Sequence, residues 1–249
     1  MSHDQQRRFL ARVAEFFPQL FVSSRVLEIG SLDVNGSARS FFTDCDYIGL
    51  DVAPGPGVDV VCGGHEYDAP NGTFDVVLSM ETMEHNPHWI DTVSNMVRLA
   101  RTGGLVIISC ASLGRPEHGT RRSDPESSPL TIELGWDYYR NVSEAELHRA
   151  VANVHHQLQV RYWTNWRSND LYMAAVKGTP STETSEQFAL MSGVIDADVR
   201  RHNRSVRAQL KRLVLTRRQG EWVVTFVRRF RGSLQRSRAW GGRRERRRR

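Results

Sequence analysis

Cysteine is scarce in this chain, and so are long runs of apolar residues. Its 249 residues include 3 cysteines, an odd number, and no pair of them has CxxC spacing. This pattern argues against a disulfide framework and against a structural zinc site. No stretch approaches the roughly 20 apolar residues that a membrane helix requires, and the first residues lack the apolar core of a secretory signal. We therefore expect a cytoplasmic protein.

Acidic residues are almost absent from the last part of the chain. Residues 200–249 hold 19 of the 34 Lys and Arg but only 2 of the 28 Asp and Glu, which gives this segment a formal charge of +17. Residues 1–199 carry a formal charge of −11. The chain therefore joins an acidic globular part to a basic extension, and the two parts need separate functional explanations.

Short apolar runs alternate with amphipathic segments from residue 25 onward. Continuous apolar runs are typical of strands that are covered on both faces, and the segments between them are too long for hairpins. We predict an α/β fold with a doubly wound, mostly parallel sheet of seven strands. The predicted strands are RVLEIG (25–30), YIGLDV (47–52), VDVVC (58–62), FDVVLSM (74–80), LVIISC (105–110), and two further runs at 157–166 and 170–177. Helices are predicted at 4–20, at 88–101 and after Ser143, where Glu146 has capping-box spacing.

Composition also divides the chain into segments. Residues 1–22 are predicted to form an N-terminal helix, and 23–178 an α/β domain that binds a ligand. The polar stretch GTPSTETSEQ (178–187) contains a proline and has no apolar period, so it is predicted to be a linker. Residues 179–249 are then the linker, a basic helical extension and an arginine-rich tail.

The first strand and its loop contain the most informative motif. In RVLEIGSLDVNGS, a buried strand ends near Glu28 and Gly30 and opens into a turn-rich loop, and Asn35 to Ser37 are predicted to start a helix. The next strand ends at Asp51, where a carboxylate can accept hydrogen bonds from both hydroxyls of a ribose. Strand ends of this kind converge on a ligand crevice in open α/β sheets. An adenosine-containing cofactor fits this pairing. The alternative is that Glu28 and Asp51 only cap loops and that Gly30 serves only the turn.

Four segments in this order resemble the class I S-adenosylmethionine-dependent methyltransferases, particularly those with a methyltransferase type 11-like domain. They are VLEIG, IGLDV, FDVVLSMETMEH and LARTGGLVIIS, within residues 25 to 177. The last resembles the family's L(K/R)PGG segment, with Thr102 in place of proline. The resemblance implies S-adenosylmethionine as the cofactor. The residues it implies for cofactor binding are Glu28, Gly30, Ser31, Asp51, Val52, Gly64, His65, Ser79 and Met80.

The chain also departs from the family pattern. The usual first loop is GxGxG, whereas here the next glycine after Gly30 is Gly36. The absence of GxGxxG argues against a nicotinamide dehydrogenase, because a pyrophosphate needs backbone amides that side chains such as Leu32 do not obstruct. After the third strand the family often has an acidic residue, and here the local sequence is CGGHEY.

A long irregular connection follows the fifth strand and is predicted to recognise the methyl acceptor. It contains Arg115, Arg121, Tyr138 and Tyr139, and arginines with aromatics suit sugars, phosphates or carboxylates. The alternative is a solvated flap. We predict no metal site, since Glu117 with His118, or Asp137, offers no ligand spacing specific enough to assign one.

Two histidines are the candidates for catalysis. His85 lies where the family often has histidine, and His118 lies in the long connection. Either imidazole has a suitable pKa for removing a proton from a hydroxyl. For His85, a structural role is the alternative. The predicted function is O-methylation of a small-molecule or glycan hydroxyl, with glycan biosynthesis as the preferred context.

Two other classes of function remain open at this stage. The basic tail is compatible with a nucleic-acid methyltransferase, although the (D/N)PPY and Pro-Cys motifs of base methyltransferases are absent. The chain could also be a non-catalytic adaptor at a membrane surface. An apolar stripe with flanking arginines at 222–231 favours an anionic membrane as the partner of the tail, and hence a peripheral location at its inner face. The alternative is that this stripe packs on protein.

Overall fold

The chain forms a single sheet with helices on both faces. The computed structural model describes residues 4–34, 36–152 and 158–216. The strands are β1 (Arg25–Ile29), β2 (Asp46–Asp51), β3 (Val60–Val61), β4 (Phe74–Met80), β5 (Ala100–Ala111), β6 (Leu158–Asn165) and β7 (Asp170–Lys177). The helices are α1 (Asp4–Phe16), α2 (Trp89–Leu99), α3 (Pro129–Glu133), α4 (Glu144–Ala150), α5 (Thr182–Asn203) and α6 (Val206–Thr216).

The strand order is β3-β2-β1-β4-β5-β7-β6. Strands β1 to β5 pair in parallel, and β7 runs antiparallel to both β5 and β6. The predicted doubly wound, mostly parallel α/β sheet of seven strands is therefore confirmed. The order reverses direction between β1 and β4, and this is the position at which open sheets form ligand crevices.

Two hydrophobic cores cover the sheet, one on each face. Successive side chains of a strand point to opposite faces, so Val26 and Val76 pack with α1 and α5 while Leu27 and Val77 pack with α2 and α4. This alternation explains why the strands read as continuous apolar runs, since neither face is exposed to water.

The crossover from β1 to β2 contains no α-helix in its described part. The segment Ala38–Phe41 forms one 3-10 turn, in which Ser37 Oγ accepts a hydrogen bond from the Arg39 N–H at 3.0 Å. The Thr43 N–H already donates to the Phe21 carbonyl at 3.0 Å, so the chain has no length left for an α-helix. The helix start predicted at 35–37 is therefore present at Ser37, but it begins a 3-10 turn and not an α-helix. Asn35 lies outside the described residues.

The predicted linker at 178–187 is also wrong from Thr182 onward. Helix α5 begins there, with Ser181 Oγ accepting a hydrogen bond from the Thr184 N–H at 3.1 Å. Its first turns face solvent and are polar, whereas Phe188 and Met191 are buried in the core on the α1 side. The sequence pattern looked like a linker because the apolar residues of the helix come only after its first turn.

Residues Met1–Ser205 form one compact unit, and α6 belongs to a second unit that begins at Val206. The capping box predicted at Ser143 and Glu146 is present with both of its hydrogen bonds. Within the described ranges, no helix has both the length and the apolar character needed to cross a membrane. The arginine-rich tail, predicted from the sequence alone, lies outside the described residues.

Candidate active site

The carboxyl ends of β1, β2 and β4 meet at one edge of the sheet. Two adjoining hollows of about 50 and 30 Å³ lie there, and we refer to them together as the crevice. Both hollows are lined by Gly30, Asp51, Thr82, His85 and Thr131. Open α/β sheets bind their ligands at this kind of edge, so the crevice is the candidate ligand site.

Gly30 is held in a backbone conformation that other residues rarely adopt. Its φ is +80°, and a Cβ at this position would lie 1.9 Å from Oγ1 of Thr82. Its N–H donates to the Leu50 carbonyl at 2.8 Å, which links the end of β1 to β2. Only glycine meets both requirements, because the Thr82 side chain fills the space that a Cβ would need.

Asp51 presents a carboxylate to the crevice that is already oriented by the backbone. Its Oδ2 accepts a hydrogen bond from the Leu32 N–H at 3.0 Å, and its Oδ1 accepts one from the Val52 N–H at 2.8 Å. Burial raises the pKa of Asp51, and these two hydrogen bonds oppose that effect. Val52 itself also lines the crevice. Asp51 and Val52 therefore both lie at the crevice, and the contact of Asp51 with a ribose stays a prediction.

Three further predicted cofactor ligands lie near this edge in different settings. Ser31 is buried and its Oγ has no hydrogen-bond partner. Gly64 lines the crevice, and a Cβ there would lie 2.6 Å from Cγ2 of Ile29. The His65 ring instead stacks on the His88 ring, with centroids 4.1 Å apart, and it is not among the crevice-lining residues.

Glu28, Ser79 and Met80 lie behind the crevice rather than in its lining. Glu28 is buried and accepts a hydrogen bond from the Tyr47 hydroxyl at 2.7 Å, and burial raises its pKa to about 7. Ser79 Oγ donates to the Ile29 carbonyl at 2.8 Å and ties β4 to β1. Met80 packs in the core on the α1 side. Cofactor binding by these three residues stays a prediction.

Two glutamates that the sequence analysis did not single out follow β4 directly. Glu81 has a φ of +58°, an uncommon conformation for this residue, and its carboxylate accepts a hydrogen bond from Ser109 Oγ at 3.0 Å. Glu84 is fully buried, and its Oε1 accepts a hydrogen bond from the Ala111 N–H at 3.0 Å. Burial raises the pKa of both, and the charge of Glu84 also raises that of Glu81. The sequence does contain a signal for these two residues, because in the ETMEH segment two acidic residues closely follow a buried strand.

The two predicted catalytic histidines are brought together. The rings of His85 and His118 lie 4.9 Å apart, edge to face, and the Tyr139 ring contacts both of them. His85 is buried, its Nδ1 has no hydrogen-bond partner, and its ring lies beside the backbone of Tyr138. Burial lowers the pKa of His85 to about 3, so this imidazole is neutral near pH 7.

The predicted acceptor-binding arginines are engaged with protein groups. Arg115 Nη1 donates to the Ser168 carbonyl and to Oδ1 of the buried Asp170, both at 3.0 Å. The Arg121 side chain is exposed, and the backbone N–H of this residue donates to the Asp137 carboxylate at 2.8 Å. Tyr138 is half-buried beside His85. The long connection is therefore held by specific contacts, which the alternative of a solvated flap does not require.

A cavity of about 310 Å³ lies under this connection, and we call it the loop cavity. Its lining consists of Glu81, His85, Arg115, Pro116, Glu117, His118, Asp124 and Ser127. Glu81 and His85 line the crevice as well, so the two spaces share a wall. Glu117 pairs with Arg122 at 2.5 Å, and this hydrogen bond lowers its pKa to about 2.

Another cavity, of about 320 Å³, lies between α1 and α5, on the face of the sheet that these two helices cover. Its lining includes Arg8, Arg12 and His202 but no residue that follows β1, β2 or β4. Its size alone does not make it the candidate active site. The oriented carboxylate of Asp51, the positive-φ residue Gly30 and the imidazole of His85 all line the crevice instead.

A family model described as a methyltransferase domain matches residues 1–168, about two thirds of the chain. The chain belongs to the class I S-adenosylmethionine-dependent methyltransferases. This confirms the resemblance found in the sequence motifs. No curated protein matches this methyltransferase in sequence.

Solved methyltransferase structures share the fold at low sequence identity. Phosphoethanolamine N-methyltransferase 2 of Haemonchus contortus, in complex with phosphomonomethylethanolamine and S-adenosylhomocysteine, aligns with a TM-score of 0.51 and 16% identity over 70% of this chain and 53% of its own. The 1,6-didemethyltoxoflavin N1-methyltransferase of Burkholderia thailandensis gives 0.46 and 16%, over 69% of this chain and 78% of its own. This methyltransferase thus spans about half the length of the Haemonchus enzyme, and the likeness shows the fold alone.

S-adenosylmethionine is the cofactor of this family, and the crevice residues fit it. Asp51 offers an oriented carboxylate for a ribose, and Gly30 lines both hollows beside it. The two hollows are smaller than the roughly 300 to 1,000 Å³ that a drug-sized ligand needs. Residues 127–131 and Trp136 line them from the long connection, so we expect this cover to shift when the cofactor binds.

Proposed function

We propose that this methyltransferase methylates a hydroxyl group of a polar small molecule or glycan that binds in the loop cavity. The observation that carries the proposal is the shared wall: Glu81 and His85 line both the crevice and the loop cavity. An acceptor in the loop cavity therefore lies next to the cofactor site. When bound, S-adenosylmethionine supplies an electrophilic methyl group together with its own leaving group.

The task left to the chain is to hold and orient the acceptor and to remove its proton. Holding two reactants in contact provides a large part of the rate enhancement in such a transfer. The long connection forms one side of the loop cavity. His118 lines the loop cavity with its ring against that of His85, and it is our first candidate for the group that removes the hydroxyl proton. Burial lowers the pKa of His85 to about 3, so its neutral ring is the weaker base of the two.

The side chains of the loop cavity favour a neutral acceptor over an anionic one. The Arg115 guanidinium that lines it is already paired with Asp170, and the Glu117 carboxylate is paired with Arg122. Burial raises the pKa of Glu81 and so favours its neutral form. A phosphate or carboxylate on the acceptor would therefore have to compete with Asp170 for the guanidinium. An amine is the second candidate, because the Asp124 carboxylate also lines the cavity and suits an ammonium group.

Methyl-labelled S-adenosylmethionine tests this proposal directly. The full chain is incubated with neutral sugars, sugar phosphates, primary amines and nucleic acid, and the labelled product is identified by mass spectrometry. We expect label on a hydroxyl oxygen of a neutral sugar or of another polyol. Label on a nitrogen atom would favour an amine as the acceptor. Label in nucleic acid would favour a nucleic-acid methyltransferase. Cofactor binding without transfer to any acceptor, including fractionated cell extract, would favour a non-catalytic adaptor.

For the basic extension we propose binding to an anionic membrane surface, which would place the enzyme at the inner face of that membrane. The support is sequence alone: apolar and arginine residues recur at helical spacing over 222–231, outside the described residues. Sedimentation with vesicles of varied anionic content tests it on the full chain and on a chain that ends at Thr216. Truncation after Lys177 is unsuitable because it removes α5, which packs on the sheet. Equal sedimentation of both forms would exclude the membrane role.

A further inference from the structure

Three side chains with metal-ligand chemistry converge on the wall between the crevice and the loop cavity. One ligand atom each of Glu84, His85 and His118 lies within 4.8 Å of the others. Glu84 and His85 are neighbours on the 3-10 turn Met83–His85, and His118 reaches them from the long connection. Two imidazoles and a carboxylate on two separate segments form the kind of ligand set that binds a divalent cation.

Two atoms of these residues that can act as metal ligands are buried without a hydrogen-bond partner. They are Oε2 of Glu84, which is fully buried, and Nδ1 of His85, whose residue is 4% exposed. Buried polar atoms are almost always paired, so two unpaired ones side by side call for an explanation such as a bound ion. Gly119 keeps this space open, because a Cβ there would lie 3.0 Å from His85 Nδ1.

The carboxylate of Glu84 is held as metal ligands usually are. Its Oε1 accepts a hydrogen bond from the Ala111 N–H at 3.0 Å. A bond of this type to the far side of a ligand fixes its orientation toward the ion. It leaves Glu84 Oε2 available to the ion, while the His85 ring lies beside the backbone of Tyr138.

We propose that Glu84, His85 and His118 bind a divalent first-row transition ion such as Zn²⁺ or Mn²⁺. Imidazole donors favour these ions over Mg²⁺ and Ca²⁺, which prefer all-oxygen sites. Bonds of about 2.0 to 2.2 Å bring the ligands of a tetrahedral site to about 3.4 Å from one another, so the side chains need only a small contraction. The side chain of Glu81 lines the same wall.

An ion with three protein ligands retains open coordination positions, and here they face the loop cavity. There the ion would coordinate a hydroxyl oxygen of the acceptor and lower its pKa. This consequence rests on the proposed function, whereas metal binding itself does not. In that arrangement His85 and His118 act as ligands of the ion, the metal-bound hydroxyl passes its proton to solvent water, and its oxygen takes the methyl group as S-adenosylhomocysteine leaves.

Metal content of the purified full chain tests the site without reference to activity. The chain is stripped with a chelator and titrated with Zn²⁺ and Mn²⁺ by calorimetry, and bound metal is counted by elemental mass spectrometry. Co²⁺ provides a second readout through its visible absorption, which reports imidazole coordination. We expect one ion per chain and an affinity at least roughly 100-fold lower in Glu84→Gln and in His118→Ala, since even changes behind the ligands cost 10- to 100-fold.

His148→Ala and Glu133→Gln serve as matched controls, because they remove an imidazole and a carboxylate from exposed helical positions. Both should bind metal as the wild type does. If Glu84→Gln fails to fold, His118→Ala and the Co²⁺ spectrum still decide the matter. A folded wild type that binds no more ion than His118→Ala would overturn the site. Metal binding without methylation of any hydroxyl would instead remove the proposed function and leave the site in place.

Discussion

The crevice and the loop cavity share a wall, but they are built from different kinds of backbone. The crevice is formed where β1, β2 and β4 end, and the pairing of these strands positions Gly30 and Asp51. The loop cavity is closed by an irregular connection that side-chain contacts hold, such as the pair of Arg115 with Asp170. Changes at the strand ends should therefore disturb folding and cofactor binding together, whereas changes at connection residues that line only the loop cavity should affect mainly the acceptor.

The largest effect is expected at Gly30. In Gly30→Ala the positive φ costs about 1 to 2 kcal/mol, and the clash with Thr82 adds about 1 to 3 kcal/mol. Denaturant unfolding should show both losses, and calorimetry should show no measurable cofactor binding. Gly135→Ala is the matched control, with a φ of +78° and no atom within 4 Å of an added Cβ, and it should show only the first loss. Equal destabilisation of the two variants would contradict close packing at the crevice.

The buried Glu28 makes stability depend on pH. Its pKa is about 7 in the folded chain because burial disfavours the charged form, and 4.5 is its ordinary value. The unfolded chain therefore loses this proton first, and the free energy of unfolding should fall as pH rises from about 4.5 to 7, by up to roughly 3 kcal/mol.

Glu28→Gln should flatten this part of the stability profile, measured by urea unfolding at several pH values. The same variant separates the two possible roles of the residue. Because Glu28 bonds to Tyr47 rather than lining the crevice, we expect cofactor affinity to change little. A large loss of cofactor affinity would instead support the cofactor-binding role that the VLEIG motif predicts for Glu28.

Asp51→Ala should weaken cofactor binding by about 1.5 to 3 kcal/mol, because a charge-assisted hydrogen bond to the ribose is lost. Calorimetry measures the effect. Asp46→Ala removes a carboxylate from the opposite end of β2, where it pairs with Arg25, and should leave cofactor affinity unchanged. Equal affinities for the wild type and Asp51→Ala would show that the ribose binds elsewhere.

His118→Ala should reduce turnover roughly tenfold or more while cofactor affinity stays within about twofold. Steady-state kinetics with the acceptor and calorimetry with the cofactor separate the two. Arg121→Ala should have a smaller effect, because this side chain is exposed and is not among the residues that line the loop cavity. Unchanged turnover in both variants would move acceptor recognition out of the connection.

Local patterns were sufficient to predict the strands, the parallel sheet and the capping box at Ser143 and Glu146. They also placed Gly30 and Asp51 at strand ends, because the end of a buried run is visible in the sequence itself. These features depend on neighbouring residues or on a repeating period. For the same reason the motif series was enough to predict the methyltransferase family.

Only the tertiary structure decided which side chains meet. Glu28 shares a strand face with Val26, so the covering of that face by α1 turns it away from the crevice toward Tyr47. Likewise, the contact between His85 and His118 depends on how the long connection folds back over β4, which no local pattern encodes. Contacts between residues far apart in sequence are decided by strand pairing and by which faces are buried. Both are properties of the packed chain as a whole.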